Sequence, residues 1–293
     1  MNFEPIDLNH KETYEKYTNK SYRNSEASFT NMYMWRKITN ACVAIIADML
    51  VLRVHFGGKY RFLMPFGKTE NIHNCIYELL DYCKHNGYKL EIIGANSEFV
   101  EELSKTSLKF SFCQDRNAQD YVYLSQNLAE LSGKKLHSKR NHINKFKSSY
   151  NYVFTKLKKE HFETCIQRTK LWMDKKYDGN QQKYQTELDT VKCLFENYER
   201  FDLIGGAIFV EEELVAYTVG EGLSNDTALV HIEKADVDYH GAFTVINNEF
   251  AKLVRDKYFY INREEDMGIE GLRKAKQSYK PEFLTDKYKC IFE

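Results

Sequence analysis

The chain has 293 residues, 42 Lys and Arg against 42 Asp and Glu, and a composition that is 43% hydrophobic and 14% aromatic. That much apolar sequence excludes a disordered chain, and zero net charge excludes wholesale coating of nucleic acid while permitting a local anion site. Seven scattered cysteines without a CxxC pair exclude a disulfide scaffold and fit free thiols in a reducing compartment.

The first residues, MNFEPIDLNHKE, lack a basic-then-apolar leader. The longest apolar run, ACVAIIADMLVLRV, is broken by Asp48 and falls short of the ~20 residues a spanning helix needs. A cytoplasmic chain is expected, with any membrane contact peripheral. FEPI is a candidate first strand, followed by helices near 10–20 and 25–37. The run about Asp48 folds back as two strands, and YRFLMPFG gives a third. TENIHNCIYELLDYCKHNG reads as a helix striped by Ile72, Cys75, Ile76, Leu79, Leu80 and Cys83, with Thr69 as N-cap and Gly87 past its end. YKLEIIG is a strand, SEFVEELSK a helix, and strands near 107–113 and 120–124 close the unit.

Residues 133–159, GKKLHSKRNHINKFKSSYNYVFTKLKK, hold nine Lys or Arg and no acid. Leu136, Ile143 and Phe146 share one stripe of this segment, so Lys135, Lys139 and Lys145 are expected to face outward. A solvated helix mixes signs; this one does not. It is read as a polyanion site built from Lys134, Lys135, Lys139, Arg140 and Lys145, for the phosphates of an RNA stem or an anionic membrane surface.

Further on, NYVFTKL reads as a strand, and KEHFETCIQRTKLWMDK and YQTELDTVKCLFENYERF as helices. LIGGAIFV and LVAYTVG flank EEE as a hairpin, and TALVHIEKADV is the next strand. AFTVINNEFAKLVRDK is an amphipathic helix with Phe243, Ile246, Phe250 and Leu253 on one face. YFYIN is a strand, GIEGLRKAKQSY a helix stopped by Pro281, and LTDKYKCIFE a last strand. The order β-α-α-β-β-β-α-β-α-β of this half is nearly that of the first, giving domains 1–130 and 131–293, the second beginning with the basic helix.

That order resembles the GNAT acyltransferase fold, an α/β class with a mixed sheet, here in two tandem copies. In such a fold the strands flanking the long third helix splay apart, and an acyl donor enters between them beside the helix N-terminus. In the second copy the gap falls between TALVHIEKADV and YFYIN, and Tyr239, His240, Gly241, Ala242 and Phe243 open the helix as the candidate donor-binding segment. Glu233 is a candidate general base toward an amine, with Lys234 alternating to the other face; His231 and His240 are further bases. Asn262 and Asp266, in the acidic turn after YFYIN, and Lys276 on the next helix complete the candidate catalytic set. No metal site is read.

The runs LSGKKLHSKRNHINKF, HIEKADVDYHGAF and INREEDMGIEGLRKAKQSYKP resemble the bacterial proteins grouped with the C-terminal domain of phosphatidylglycerol lysyltransferase. More remotely, KAKQSYKP is similar to a basic-aromatic segment of the Fem-type peptidyltransferases. Both relatives pass an aminoacyl group from aminoacyl-tRNA to an amine or hydroxyl. The resemblance therefore implies tRNA as donor carrier, a small-molecule, lipid or peptide acceptor, and no required cofactor. By it Lys276 matches a lysine that neighbours the donor's ester, and Asn262 with the DMG turn roughly matches an Asn-Leu-Gly stretch, three acids departing from it. Two alternatives stand beside this expectation. An acyl-CoA N-acyltransferase would use the Gly241 segment for pyrophosphate, although Asp238 and Phe243 replace the residues usual there. A non-catalytic binding protein could keep the same scaffold.

Overall fold

The computed structural model describes residues 1–176 and 181–293. Contacts divide the chain into two compact units: residues 1–120, 265–268 and 284–293, and residues 121–264 and 269–283.

The first unit begins with β1 (Glu4–Pro5), α1 (Lys11–Thr18) and α2 (Phe29–Thr39). Ser28 starts α2 by accepting the Asn31 N–H at 2.8 Å, and Asn40 ends it in the left-handed region at φ 45°. β2 (Cys42–Ile46) and β3 (Met49–Phe56) are joined through Ala47 and Asp48, both at positive φ (47° and 56°), which a tight hairpin turn requires. Then come β4 (Lys59–Leu63), β5 (Phe66–Gly67), α3 (Ile72–His85), β6 (Glu91–Ala95), α4 (Ser97–Ser104) and β7 (Phe110–Gln114). α3 buries Ile72, Cys75, Ile76, Leu79 and Cys83, with Leu80 at the edge of the stripe. Thr69 does not cap it; a short 3-10 turn, Thr69–Asn71, leads into the helix instead.

The second unit runs β8 (Tyr121–Leu124), α5 (Ser125–Glu130), α6 (His137–Ser149), β9 (Tyr152–Lys156), α7 (Lys159–Lys176) and α8 (Gln181–Glu196). It continues with β10 (Ile204–Val210), β11 (Glu213–Gly222), β12 (Thr227–Ala235), α9 (Ala242–Val254), β13 (Tyr260–Asn262), α10 (Glu270–Gln277) and β14 (Phe283–Leu284). The last strand, β15 (Tyr288–Phe292), belongs to the first unit.

Among the described residues the first sheet is ordered β1-β2-β3-β4-β6-β15-β7, with β5 beside β3, and the second β14-β8-β13-β12-β11-β10-β9. In each, one neighbouring pair is parallel and bridged by a long helix: β4 with β6 across α3, and β12 with β13 across α9. On one face of the second sheet α6, with Leu136 of the turn before it, packs on α9 through Ile143, Phe146, Val245 and Ile246. Lys234 points to the opposite side of β12 from Glu233, as alternation requires, and pairs with Glu187 of α8.

Two expectations about strands are corrected. The strand near 120–124 does not close the first unit; it is β8, antiparallel to β13 through Ile261↔Tyr123. The final strand does not end the second unit; β15 lies between β6 and β7, with Cys290 opposite both Ile92 and Phe112. The contiguous division 1–130 and 131–293 therefore misplaces residues 121–130, 265–268 and 284–293. Tyr121, Val122 and Tyr123 are buried in succession, the pattern of an interior strand rather than a closing edge.

Among the described residues no helix is long and apolar enough to cross a membrane. All seven cysteines are free. Burial pushes the thiols of Cys75, Cys83, Cys165 and Cys290 up to about 12, so they act as small apolar side chains.

Candidate active site

β12 and β13 pair at Thr227↔Tyr260, Ala228↔Ile261 and Leu229↔Asn262, and there their ladder stops. β12 continues along β11 as far as Ala235, while the chain after Asn262 turns away. The parting opens a cavity of about 500 Å³ within the second unit. β12 lends it Val230, His231 and Glu233; α9 lends Phe243 and Thr244. The turn after β13 supplies Arg263 and Glu264, α10 supplies Leu272, Ala275 and Lys276, and Tyr279 and Lys139 complete the wall.

Arg263 is the electrostatic centre of this wall. Its Nη2 donates to Glu233 Oε1 at 2.9 Å, and its guanidinium lies 4.9 Å from the ring centre of Tyr279 and 5.7 Å from that of Tyr123. Nη1 is buried without a hydrogen-bond partner. Burial opposes the charge of Arg263, but Glu233, Tyr123 and Tyr279 together outweigh it and raise the guanidinium pKa. The other Glu233 oxygen accepts from Asn247 Nδ2 at 3.0 Å. Lys139 Nζ sits 4.0 Å above the Tyr279 ring; burial, then the nearby Arg263 charge, lower its pKa. Lys276 is 8% exposed, and its Nζ donates to the carbonyls of Arg263 at 2.5 Å and Glu264 at 3.0 Å.

Of the catalytic candidates, Glu233 and Lys276 meet in the cavity. Asn262 does not line it: fully buried, it accepts the Glu264 N–H at 2.7 Å on Oδ1 and shapes the turn. Asp266 belongs to the first unit, where its Oδ1 accepts the Gly268 N–H at 2.8 Å and Arg116 lies 3.3 Å from Oδ2.

The helix-start segment is largely committed to the chain's own packing. Tyr239 Oη donates to Glu213 at 2.8 Å, and the Ala242 and Thr244 N–H groups donate to Tyr239 O and Gly241 O. Gly241 stands at φ 96°, and a Cβ there would come within 2.9 Å of the His142 carbonyl of α6. The close approach that this glycine permits is thus taken by α6. The His240 ring lies 5.2 Å from that of His142 with the two planes tilted by 55°, and of the five residues Tyr239–Phe243 only Phe243 lines the cavity.

Lys134, Lys135 and Lys145 are exposed, while Arg140 donates to the carbonyls of Leu131 and Gly133 and fastens the loop before α6. Lys139 departs from the outward position expected for it. Positions 136, 139, 143 and 146 share one helical stripe, so Lys139 goes inward with its apolar neighbours. That spacing was visible in the sequence. Arg263 lay hidden in a run of charges that also suits a helix start, and nothing local singled it out.

A mixed sheet whose parallel pair parts beside a helix, formed in two units of one chain, defines a tandem acyltransferase fold of the GNAT type. The chain belongs to the family described as phosphatidylglycerol lysyltransferase, C-terminal, whose model matches residues 18–291. By that membership it is a transferase. A conserved protein of unknown function from Bacteroides thetaiotaomicron VPI-5482 is 34% identical, with 99% of each chain covered and a TM-score of 0.93. The structure of L-PGS from Bacillus licheniformis shares the fold at 16% identity, covering 99% of this chain and 93% of that one, with a TM-score of 0.66. FemX does so at 8% identity, with coverage of 99% and 97% and a TM-score of 0.60. An uncharacterized protein of Mycoplasmoides gallisepticum is 25% identical over 174 residues; the match spans 59% of this chain and only 56% of that relative.

Proposed function

We propose that the chain transfers an aminoacyl group from aminoacyl-tRNA to an amine or hydroxyl of a lipid or peptide acceptor. The β12–β13 cavity would be the place of transfer. The observation that carries this reading is the cation set on the cavity wall, Lys139, Arg263 and Lys276, with one guanidinium nitrogen left without a hydrogen-bond partner. As the acceptor attacks the ester carbonyl, the carbonyl oxygen gains negative charge, and preorganised cations in a largely buried site stabilise it. The ester C–O bond to the ribose then breaks, and the proton lost by the acceptor replaces it on the ribose oxygen. Lys276 acts on the developing oxyanion, Arg263 orients the donor, and Glu233 holds Arg263 while serving the acceptor proton. Asn262 shapes the turn, and Asp266 stands outside the reacting set.

The exposed Lys134, Lys135 and Lys145 suit the phosphates of the tRNA acceptor stem, and an anionic membrane surface offers the same chemistry. An acyl-CoA donor is the second reading. It is disfavoured because α6 occupies the close approach at Gly241 that pyrophosphate would need.

The test uses purified protein, charged tRNA and acetyl-CoA with amine and lipid acceptors, following loss of the aminoacyl ester and release of thiol. Salt-sensitive tRNA binding with an aminoacylated product is expected. Saturable coenzyme A binding with thiol release would overturn the proposal.

A further inference from the structure

The sequence offered His231 as a base, and the structure gives it different work. β11 and β12 shift register between Val219↔Ile232 and Gly220↔Val230, so His231 is the extra residue of a β-bulge that re-aims its side chain. The imidazole is fully buried, Nε2 lying 3.3 Å from Glu221 Oε1 and Nδ1 3.5 Å from Glu264 Oε1. Neither ring nitrogen, nor Glu264 Oε1, has a hydrogen-bond partner, so the contact is one of charge. Burial would discharge the ring, but the two carboxylates override it and hold its pKa at about 9. Both nitrogens are then protonated near neutrality, and neither keeps a lone pair to take a proton from an acceptor.

Glu264 is the residue this charge reaches. It stands at φ 57°, a left-handed conformation that a non-glycine residue adopts only when its surroundings hold it there. Its N–H is held by Asn262 and its carboxylate faces His231. Its carbonyl accepts both the Tyr121 N–H at 3.1 Å and Lys276 Nζ at 3.0 Å.

We infer that Glu221, His231 and Glu264 form a positioning device in which the buried imidazolium clamps the turn at Glu264 and thereby seats the Lys276 ammonium in the cavity. Other charges on the same wall, Arg263, Glu233 and Lys139, are engaged with one another or with Tyr279, leaving Glu221 and Glu264 as the groups that govern His231. The catalytic meaning of the clamp rests on the transfer reading above; its physical content does not.

The test therefore reads Lys276 and His231 without donor or acceptor. In the wild type, imidazole ¹⁵N shifts at pH 7.5 should report both nitrogens protonated; a neutral tautomer would overturn the clamp. In His231→Gln, reductive methylation of Lys276, followed by mass spectrometry, should quicken about tenfold, the factor equivalent to one pKa unit of lost interaction. An unchanged rate in a folded variant would also overturn it. Under transfer conditions the same variant should lose kcat with little change in KM. Faster Lys276 methylation in a chain whose wild type moves no aminoacyl group would keep the clamp and sink the transfer reading alone.

Discussion

Each unit bridges a parallel strand pair with a long helix, yet the gap beyond that pair differs sharply between them. In the first, β4 and β6 pair at Phe62↔Ile92 and Leu63↔Ile93, and the Met64 N–H continues the contact to Ile93 O at 3.0 Å. The space beyond is about 30 Å³, with Tyr22, Met49, Met64 and Phe99 in its wall. In the second the gap is about 500 Å³ and walled by Lys139, His231, Glu233, Arg263 and Lys276. Side chains rather than topology make the difference: thioether and aromatic groups fill one gap, whereas charged groups that must keep partners or water hold the other open. A shared arrangement of strands and helix need not carry the same site.

The first unit keeps its buried charge elsewhere. Lys287, 1% exposed, donates to Asp120 Oδ1 at 2.7 Å and Glu26 Oε1 at 2.8 Å, all within that unit. Replacing it as Lys287→Met should cost about 3–5 kcal/mol in urea unfolding, because two carboxylates lose their cation. Transfer activity per folded molecule should survive. A loss of activity without a loss of stability would mean that the contrast between the units has been drawn in the wrong place.

Next in size is Lys276→Ala, expected to lower the transfer rate by about 10²–10³ with charged tRNA, the usual effect of removing one oxyanion-stabilising group. Its counterpart Glu98→Ala, in the wall of the first unit's small gap, should leave the rate within about twofold, the scale of a remote surface change. Equal effects would erase the comparison.

Smaller again is Gly241→Ala. A Cβ at φ 96° and 2.9 Å from the His142 carbonyl should cost about 1–3 kcal/mol by thermal or chemical denaturation. An alanine accepted at no cost would show that α6 does not cover the helix start in solution.

A pH dependence follows from His231. Its pKa in the folded chain, about 9, lies above the ordinary 6.5, so the stability it contributes is complete below 6.5 and disappears as pH rises through 9. The denaturant midpoint should fall across that window, and this component of the fall should be missing in His231→Gln. The smallest effect belongs to the exposed basic residues. Lys135→Glu and Lys145→Glu should each reduce the log–log salt slope of tRNA binding by about one, without changing which amino acid is accepted.

Much of this arrangement was legible locally. The stripe of Ile72, Cys75, Ile76, Leu79, Leu80 and Cys83 and the fold-back about Asp48 are matters of periodicity and backbone preference; the fold-back holds, and so does the stripe apart from the half-buried Leu80. The alternation that separates Glu233 from Lys234 also held. The apolar stripe of α9 was only half right, since Phe243 is 43% exposed and faces the cavity while Val245, Ile246 and Phe250 are buried. What local pattern could not supply was partnership across the chain. YVYL and YKCIF each look like a strand closing the unit that precedes it, and only side-chain packing decides which sheet receives them. Arg263 was invisible for a related reason: its role comes from Glu233, Tyr123 and Tyr279, residues far away in sequence.

β15 also bears on how the protein is made. It is an interior strand of the first sheet, seated between β6 and β7, yet it is translated after the whole second unit. On the ribosome the first unit must therefore wait, its β6 and β7 edges unjoined, until the final segment emerges. The later-synthesised unit holds its own sheet strands apart from the terminal residue of β14, so it can mature ahead of the one that precedes it.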